Sequence, residues 1–547
     1  TGRSSGSTRL AAPAVRWRHY LGGAVRNGQM AVTDLDGDGT TDVLYLSAGK
    51  LLCKHADDAL VWESALDDLR ALVGVGDLDG DGRPEVVATG ARGFVGVYAG
   101  NDGRRLWEVP TELRGLSSSA RVADIDGDGT DDLYVGQCVS NPVAAVAYSF
   151  RSMATRPREL WRIPTPAEGG CGTDSDTVAD LDGDGAPEVV VLHAFDRFYV
   201  YEGRTGRLES SAAAPSSGPF SGFTFVLPRQ LDDDPGRELV VITNGYVRAA
   251  TPYGARRVAV YDQDTTTPGA MRLAWSADAA DAISTELHFD ASSVRDLDDD
   301  GAPEVVVSEV NLSTRVAAMV VRRARDGMEL ARVAGADFEG IIDAPAGGRP
   351  WVLSVDNDRA LVARELQRDG LVTRWTLEGA RTLRYADPAL IARERVASVP
   401  LMVQLDDDPA LELVGAPFDP ALPPENRVVD RVTGWHLDAS PRALGTFRAP
   451  EGATVLMASK GERLSRSGAQ PILVTSDGYL LTLDGTLSPT NRVVTAEFTV
   501  PGMRVGGFYA AGLGPTPVAG ALDAAGNDRG VFVRDSRPSL LRLDVAT

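Results

Sequence analysis

Several things are scarce in this 547-residue sequence, and each scarcity removes a class of function. Cys53, Cys138 and Cys171 are the only cysteines, none in a CxxC pair, so redox-motif chemistry has no support. Basic residues number 55 against 77 acidic ones, a net charge of −22, and the basic face of a nucleic-acid binder is missing. Lys50, Lys54 and Lys460 are the only lysines, an imbalance toward arginine that reads as codon usage and not as chemistry. Apolar runs are short: Val189–Leu192 and Val305–Val307 are typical, far below the length of a transmembrane helix. The opening TGRSSGSTRL has no apolar signal core, so the chain reads as mature or unexported. No GxSxG, Walker loop or HExxH occurs, and helical periodicity is nowhere sustained. At 43% hydrophobic the chain is nonetheless too apolar for disorder.

The acidity is not spread evenly. One word recurs: TDLDGDGTTDVLYL from Thr33, GDLDGDGRPEVVAT from Gly76, ADIDGDGTDDLYV from Ala123, ADLDGDGAPEVVVL from Ala179 and RDLDDDGAPEVVVS from Arg295. Each copy sets acids at loop positions 1, 3, 5 and 9, with glycine at position 6 and an apolar run after. The candidate ligands are Asp34, Asp36, Asp38 and Asp42; Asp77, Asp79, Asp81 and Glu85; Asp124, Asp126, Asp128 and Asp132; Asp180, Asp182, Asp184 and Glu188; and Asp296, Asp298, Asp300 and Glu304. Two further copies begin with glutamine and carry proline at position 6. They offer Gln230, Asp232, Asp234 and Glu238, and Gln404, Asp406, Asp408 and Glu412, the glutamine through its carbonyl oxygen.

Oxygen ligands two residues apart on a tight turn can converge on one hard cation, and glycine at position 6 permits the turn. Four carboxylates gathered without a cation would repel one another. Calcium fits best, since no His or Cys stands in the motif to favour zinc. An EF-hand is excluded. It needs a bidentate Glu at position 12 and flanking helices, whereas position 12 is Tyr45, Ala88, Val135, Val191 and Val307 and strand text follows.

The copies resemble the calcium loops of FG-GAP/VCBS repeats, the family that includes the integrin α-subunit propeller. The resemblance implies that each loop links the first and second strands of a propeller blade. Between loops the text also repeats, as in GFVGVYAGNDGRRLWEVP from Gly93 and RVAVYDQDTTTPGAMRLAWSA from Arg257, which predicts short strands and an all-β repeat fold. IIDAPAGGRPWVLSV from Ile341 aligns as a copy that keeps only Asp343, and two degenerate copies follow from Ser467 and Asp523. The expectation is an N-terminal tail over residues 1–14 and one β-propeller over 15–547. It would have about ten four-stranded blades, with eight plus an irregular C-terminal addition as the fallback. RWRHYLGG from Arg16 resembles a last blade strand and would close the ring on the C-terminal unit, removing exposed edges.

On that architecture Cys138 and Cys171 fall on the face opposite the acidic loops, and the expectation is a Cys138–Cys171 disulfide in an oxidising compartment. Cys53, in LLCKH, reads as a buried thiol. His19 and His55 fall in strand text as packing residues; His193 and His288 could face the opposite side with Arg248 or Arg256. The long segments from Ser210, Asn244 and Ser276 would carry Phe220, Phe223, Tyr246 and Tyr253 beside Arg248, Arg256 and Arg257 as a recognition surface. Three functions stay open: a secreted, periplasmic or cell-surface binding or adhesion module for a protein or glycan; a polysaccharide lyase or hydrolase; or a structural subunit of an envelope assembly. Seven bound Ca²⁺ ions would reduce the charge of −22 to −8.

Overall fold

The computed structural model describes residues 14–20 and 30–544, except 41, 48, 56–58, 92, 111–119, 137–142, 152–156, 165–176, 195–196, 214–220, 246–253, 264–269, 285–292, 312–313, 315, 346, 387–397, 406–407, 409, 424–426, 439, 452, 466–467, 476–478, 495–517, 522–528 and 536–538. The fold is all-β. No helix occurs among the described residues, and so none that is long and apolar enough to cross a membrane.

The strands follow one another as four-stranded antiparallel meanders. The first comprises Met30–Thr33, Asp42–Ser47, Lys50–His55 and Leu60–Glu63; the second Leu69–Gly76, Glu85–Gly90, Phe94–Ala99 and Arg105–Pro110. Among the described residues seven sheets are four-stranded; the strands from Ser221 to Ala334 form one eight-stranded sheet joined through Ala282↔Val310 and Ile283↔Glu309, and those from Ala380 to Arg448 form a five-stranded sheet beside the pair Arg384–Ala386 and Ser398–Pro400. In the last unit the strands Val518–Ala521, Arg529–Asp535 and Ser539–Asp544 take their fourth member from the N-terminus, where Ala14–Tyr20 pairs with Ser539–Asp544. The strand text noted at Arg16 thus joins the C-terminal sheet.

Burial explains the sequence of each strand. Glu85–Gly90 and Phe94–Ala99 are buried along their whole length, which is why second and third strands read as continuous apolar runs and not as alternation. Fourth strands such as Leu208–Ala213 are half exposed and mix polar residues in. The cores lie between sheets. One cluster joins Leu44, Cys53 and Trp62 of the first sheet to Val86, Ala88 and Tyr98 of the second. The next joins Val87 and Val97 to Leu133, Val146 and Tyr148, and the pattern continues through Leu413 and Trp435 to Leu473 and Leu481. Cys53 is the buried thiol expected, and burial pushes its pKa up.

A recurrent lock fastens one sheet to the next. The indole Nε1–H of Trp62 donates to Gly100 O at 2.6 Å, that of Trp161 to Gly203 O at 2.6 Å, and that of Trp275 to Ala324 O at 2.5 Å. Three residues beyond each acceptor sits a glycine with left-handed φ, Gly103 (67°), Gly206 (67°) and Gly327 (73°). A Cβ at Gly206 would stand 2.4 Å from Trp161, so glycine is required for both torsion and space. The register between third and fourth strands shifts next to each tryptophan, for example between Ala147 and Tyr148, a bulge that adds twist.

Trp161→Phe, which deletes the indole donor together with part of the buried ring, should lower unfolding free energy by at least about 1–2 kcal/mol in a denaturant titration. Gly206→Ala should cost more than 1 kcal/mol, because strain and overlap act together. A Gly206→Ala variant as stable as the parent would contradict the lock.

Candidate metal centres

Each acidic loop joins the first strand of a sheet to the second, and its ninth residue opens the second strand. That residue is a buried acid in every copy: Asp42, Glu85, Asp132, Glu188, Glu238, Glu304 and Glu412 are at most 5% exposed. One oxygen of each accepts the backbone N–H of position 2, from Leu35, Leu78, Ile125, Leu181, Leu231, Leu297 and Leu405, at 2.6–3.1 Å. The position 2 side chain is buried below, so one residue anchors the loop to the core while its N–H anchors the acid.

The position 1 carboxylate organises the turn. Asp34 accepts from Gly37 N at 2.7 Å and Gly39 N at 2.9 Å; Asp77 accepts from Gly80 N and Gly82 N, and Asp180 from Gly183 N and Gly185 N. Asp124 does the same with Asp128 N and Gly129 N, and Asp296 with Asp299 N and Gly301 N. Positions 4 and 6 are both left-handed. Gly37 and Gly39 lie at φ 77° and 84°, and Asp299, which replaces the first of these glycines, at 59°. Position 5 acids accept the N–H two residues on, as Asp81 does from Arg83 at 2.8 Å.

The result is convergence of oxygen. Ligand atoms of Asp34, Asp36 and Asp42 lie within 4.8 Å of one another, and so do those of Asp77, Asp79 and Glu85. Asp126 Oδ1 and Asp298 Oδ1, both at position 3, and Glu238 Oε1 at position 9 are buried without a hydrogen-bond partner. Orphaned buried carboxylate oxygens are expensive unless a cation or proton meets them. Accordingly burial, reinforced by the neighbouring acids, pushes Glu85, Asp132, Glu238 and Glu304 up to about 7 and Glu188 up to about 8. Asp42, Asp79, Asp126, Asp182 and Asp298 are raised as well, again chiefly by burial. The donor set is all oxygen, which suits a hard divalent cation.

The two glutamine-led loops are built differently. Gln230 Nε2 donates to Asp232 O at 2.9 Å and to Asp234 O, and Gln404 Nε2 donates to Asp408 O. Gln404 Oε1 is buried with no hydrogen-bond partner, and both side-chain amides hold loop carbonyls through nitrogen. The cause is the proline at position 6: Pro235 and Pro409 have no N–H to offer a position 1 acid, and fixed φ bars the left-handed turn. Asp406 lies outside the described residues.

Sequence reasoning missed three residues that stand opposite position 9 on the third strand. His55 pairs in register with Asp42 and places Nδ1 2.9 Å from Asp42 Oδ1, so it is no mere packing residue. His436 gathers with Asp408 and Glu412, and Asp262 with Asp232, Asp234 and Glu238. In the copy that keeps only Asp343, that acid is exposed and pairs with Arg295.

Residues 77–135, which span two of these loops and the strands between, match the family model described as FG-GAP-like repeat. The chain carries an FG-GAP-like repeat. No curated protein matches the sequence. Among solved structures, the biofilm matrix protein Bap1 of V. cholerae is similar at 13% identity, with 98% of this chain and 91% of that chain covered and a TM-score of 0.39. The exotype rhamnogalacturonan lyase YesX gives 14% identity, 98% and 74% coverage and 0.39. BamB from Moraxella catarrhalis gives 14%, 67% and 91%, and 0.34. At these TM-scores the likenesses carry no argument.

On the remaining expected sites, Cys138, Cys171, His288, Phe220, Tyr246, Arg248 and Tyr253 lie outside the described residues, as do the side chains of His19, His193, Phe223 and Arg256. Arg257 is not a free anchor: its guanidinium makes two hydrogen bonds to Asp278, one of them 2.8 Å.

The raised loop acids give a signed pH dependence. A carboxylate whose pKa is higher folded than unfolded stabilises the fold at low pH and loses that contribution as pH rises through the folded value. For Glu85, Asp132, Glu188, Glu238 and Glu304 the window runs from the ordinary carboxylate range to about 7 or 8. Chelator-treated protein should therefore melt several degrees higher at pH 5.5 than at pH 8. Glu188→Gln should reduce the difference. Equal melting temperatures across that window would contradict the electrostatics.

Proposed function

We propose that the chain is a calcium-stabilised β-propeller of the FG-GAP type, working outside the cytosol as a binding or adhesion module for a protein or glycan partner. The observation that carries the reading is the sevenfold repetition of a buried acid at the head of a second strand, facing further acids on one loop. Calcium accepts six to eight oxygens in flexible geometry and would match these all-oxygen loops. Asp34, Asp36, Asp38 and Asp42 would hold one ion, and the corresponding acids of the next four loops one each. The loop of Gln404 offers Asp408 and Glu412 with His436. Bound ions would neutralise the buried acids and fix the turns.

Ring closure is supported by two features: each core cluster is shared by consecutive sheets, and Ala14–Tyr20 completes the sheet of residues 518–544. About ten blades follow from that arrangement. A rigid ring of this kind would contribute a binding surface. The Cys138–Cys171 disulfide belongs to the same reading, because oxidised thiols and millimolar calcium share compartments.

Melts in calcium and in EGTA carry the test. A single site at a hundred times its dissociation constant adds about 2.7 kcal/mol, so melting temperature should rise clearly with calcium. Asp79→Ala should remove roughly one such increment while leaving partner binding intact. An unchanged melting temperature refutes the structural cation. A glycan array run beside a turnover screen on acidic polysaccharides separates binding module from lyase: release of unsaturated product would overturn the binding reading. Intact mass should be lower by two hydrogens before reduction than after, with Cys53 remaining a thiol.

A further inference from the structure

The loop led by Gln230 has lost its position 1 acid, its position 6 glycine and the turn that both support. Its acids nonetheless gather. Ligand atoms of Asp232, Asp234, Glu238 and Asp262 lie within 4.8 Å of one another. Asp262 is not in the loop. It lies near the end of the third strand, Gly254–Gln263, and the pairing Leu239↔Tyr261 places it beside Glu238 on the neighbouring strand. Glu238 is 3% exposed; Oε2 accepts Leu231 N–H at 2.6 Å, and Oε1 is buried with no hydrogen-bond partner. A buried, half-unsatisfied carboxylate turned toward three others is a ligand set in want of a cation.

We infer that Asp262 replaces the lost position 1 acid, completing a hard divalent-cation site with Asp232, Asp234 and Glu238, while Gln230 holds the loop backbone and not the ion. The inference rests on the reading that the acidic loops take calcium. The division of labour follows from proline: without an N–H at position 6, an acid at position 1 would lose a donor, so the fourth charge is supplied from across the sheet. Arg272, whose side chain is about half exposed, pairs with Asp262 Oδ2 and leaves Oδ1 for the ion. One guanidinium faces four carboxylates, so the cluster keeps an excess of negative charge. The donors are all carboxylates, which favours calcium over zinc, in contrast to the clusters that contain His55 or His436.

Full-length protein stripped with chelator and dialysed against radioactive calcium gives the number of ions bound. Asp262→Asn should bind one ion fewer than the parent at saturation. Arg272→Met, which frees Asp262 from its partner, should keep the full number and tighten one site severalfold. Equal stoichiometry for the parent and Asp262→Asn overturns the inference while leaving calcium in the other loops intact. Loss of the ion in Arg272→Met also overturns it, since Asp262 would then matter only as a salt-bridge partner. Because Arg272→Met retains every ligand, it decides the matter even where Asp262→Asn does not fold. A parent chain that binds no calcium overturns both this inference and the reading beneath it.

Discussion

The structure turns on a single buried acid at the start of seven of its second strands. That residue ends the loop, begins the ladder and turns its second oxygen toward the loop's other acids, three demands that one short side chain meets at once. Because it bonds the N–H seven residues earlier, the loop has a fixed length between two apolar anchors. Because it is buried, its charge needs an answer: a proton, a cation or a partner across the sheet. The spread of loop sequences follows from which answer each copy uses. Glu188 sits in an all-acid loop and is pushed furthest up; Asp42 has the ring of His55 beside it.

The glutamine-led loops show how tightly two positions are bound by backbone chemistry. In the intact copies a position 1 acid reads two N–H groups presented by left-handed residues at or near positions 4 and 6. Proline at position 6 removes one donor and forbids one conformation. An acid left at position 1 would then keep only one of its two donors and face the loop's carbonyls. Glutamine reverses the polarity: its amide donates to the carbonyls of Asp232 and Asp234 in one loop and of Asp408 in the other. The joint change of Asp to Gln and Gly to Pro is thus one structural substitution made at two places. It converts an anion-centred turn into a donor-centred one.

Much of this was legible in the sequence, because the informative distances are short. Loop spacing and the buried second strand lie within a few residues of the acids, and the meanders follow the repeats closely. The similarity of RWRHY to a fourth strand also led to the right sheet, since the strand carries Trp17 next to a register shift as the fourth strands with Trp62, Trp107, Trp161, Trp275 and Trp375 do. The cross-strand partners were not legible. His55 follows Asp42 by thirteen residues, but Asp262 follows Glu238 by twenty-four, as His436 follows Glu412. The hairpin between second and third strands varies in length, so only the register of the folded sheet shows who stands opposite whom. Arg257 was misjudged for a related reason: Asp278, its partner, comes from the long strand Met271–Ser284, outside any repeated motif.

Local stacking also decides how far a disturbance in one loop can travel. Each core cluster belongs to two consecutive sheets, so stability is close to a sum of units and nearest-neighbour terms. The loops are tied in the same neighbour-to-neighbour way: Asp131 N–H donates to Asp77 O at 3.1 Å, Arg237 N–H to Leu181 O at 3.2 Å, and Arg204 Nε to Asp126 O at 3.1 Å. Each of these bonds carries the backbone of one acidic loop onto the next sheet's turn or loop. Neutralising the acids of one loop therefore steadies its own turn and the seam beside it, and little beyond. At the seam to the repeat that keeps only Asp343, that acid pairs with Arg295 of the preceding sheet. Chain order, core sharing and loop bonding thus all run between adjacent units. The chain can lose the acids in one repeat and keep its neighbours, because no unit depends on more than two others.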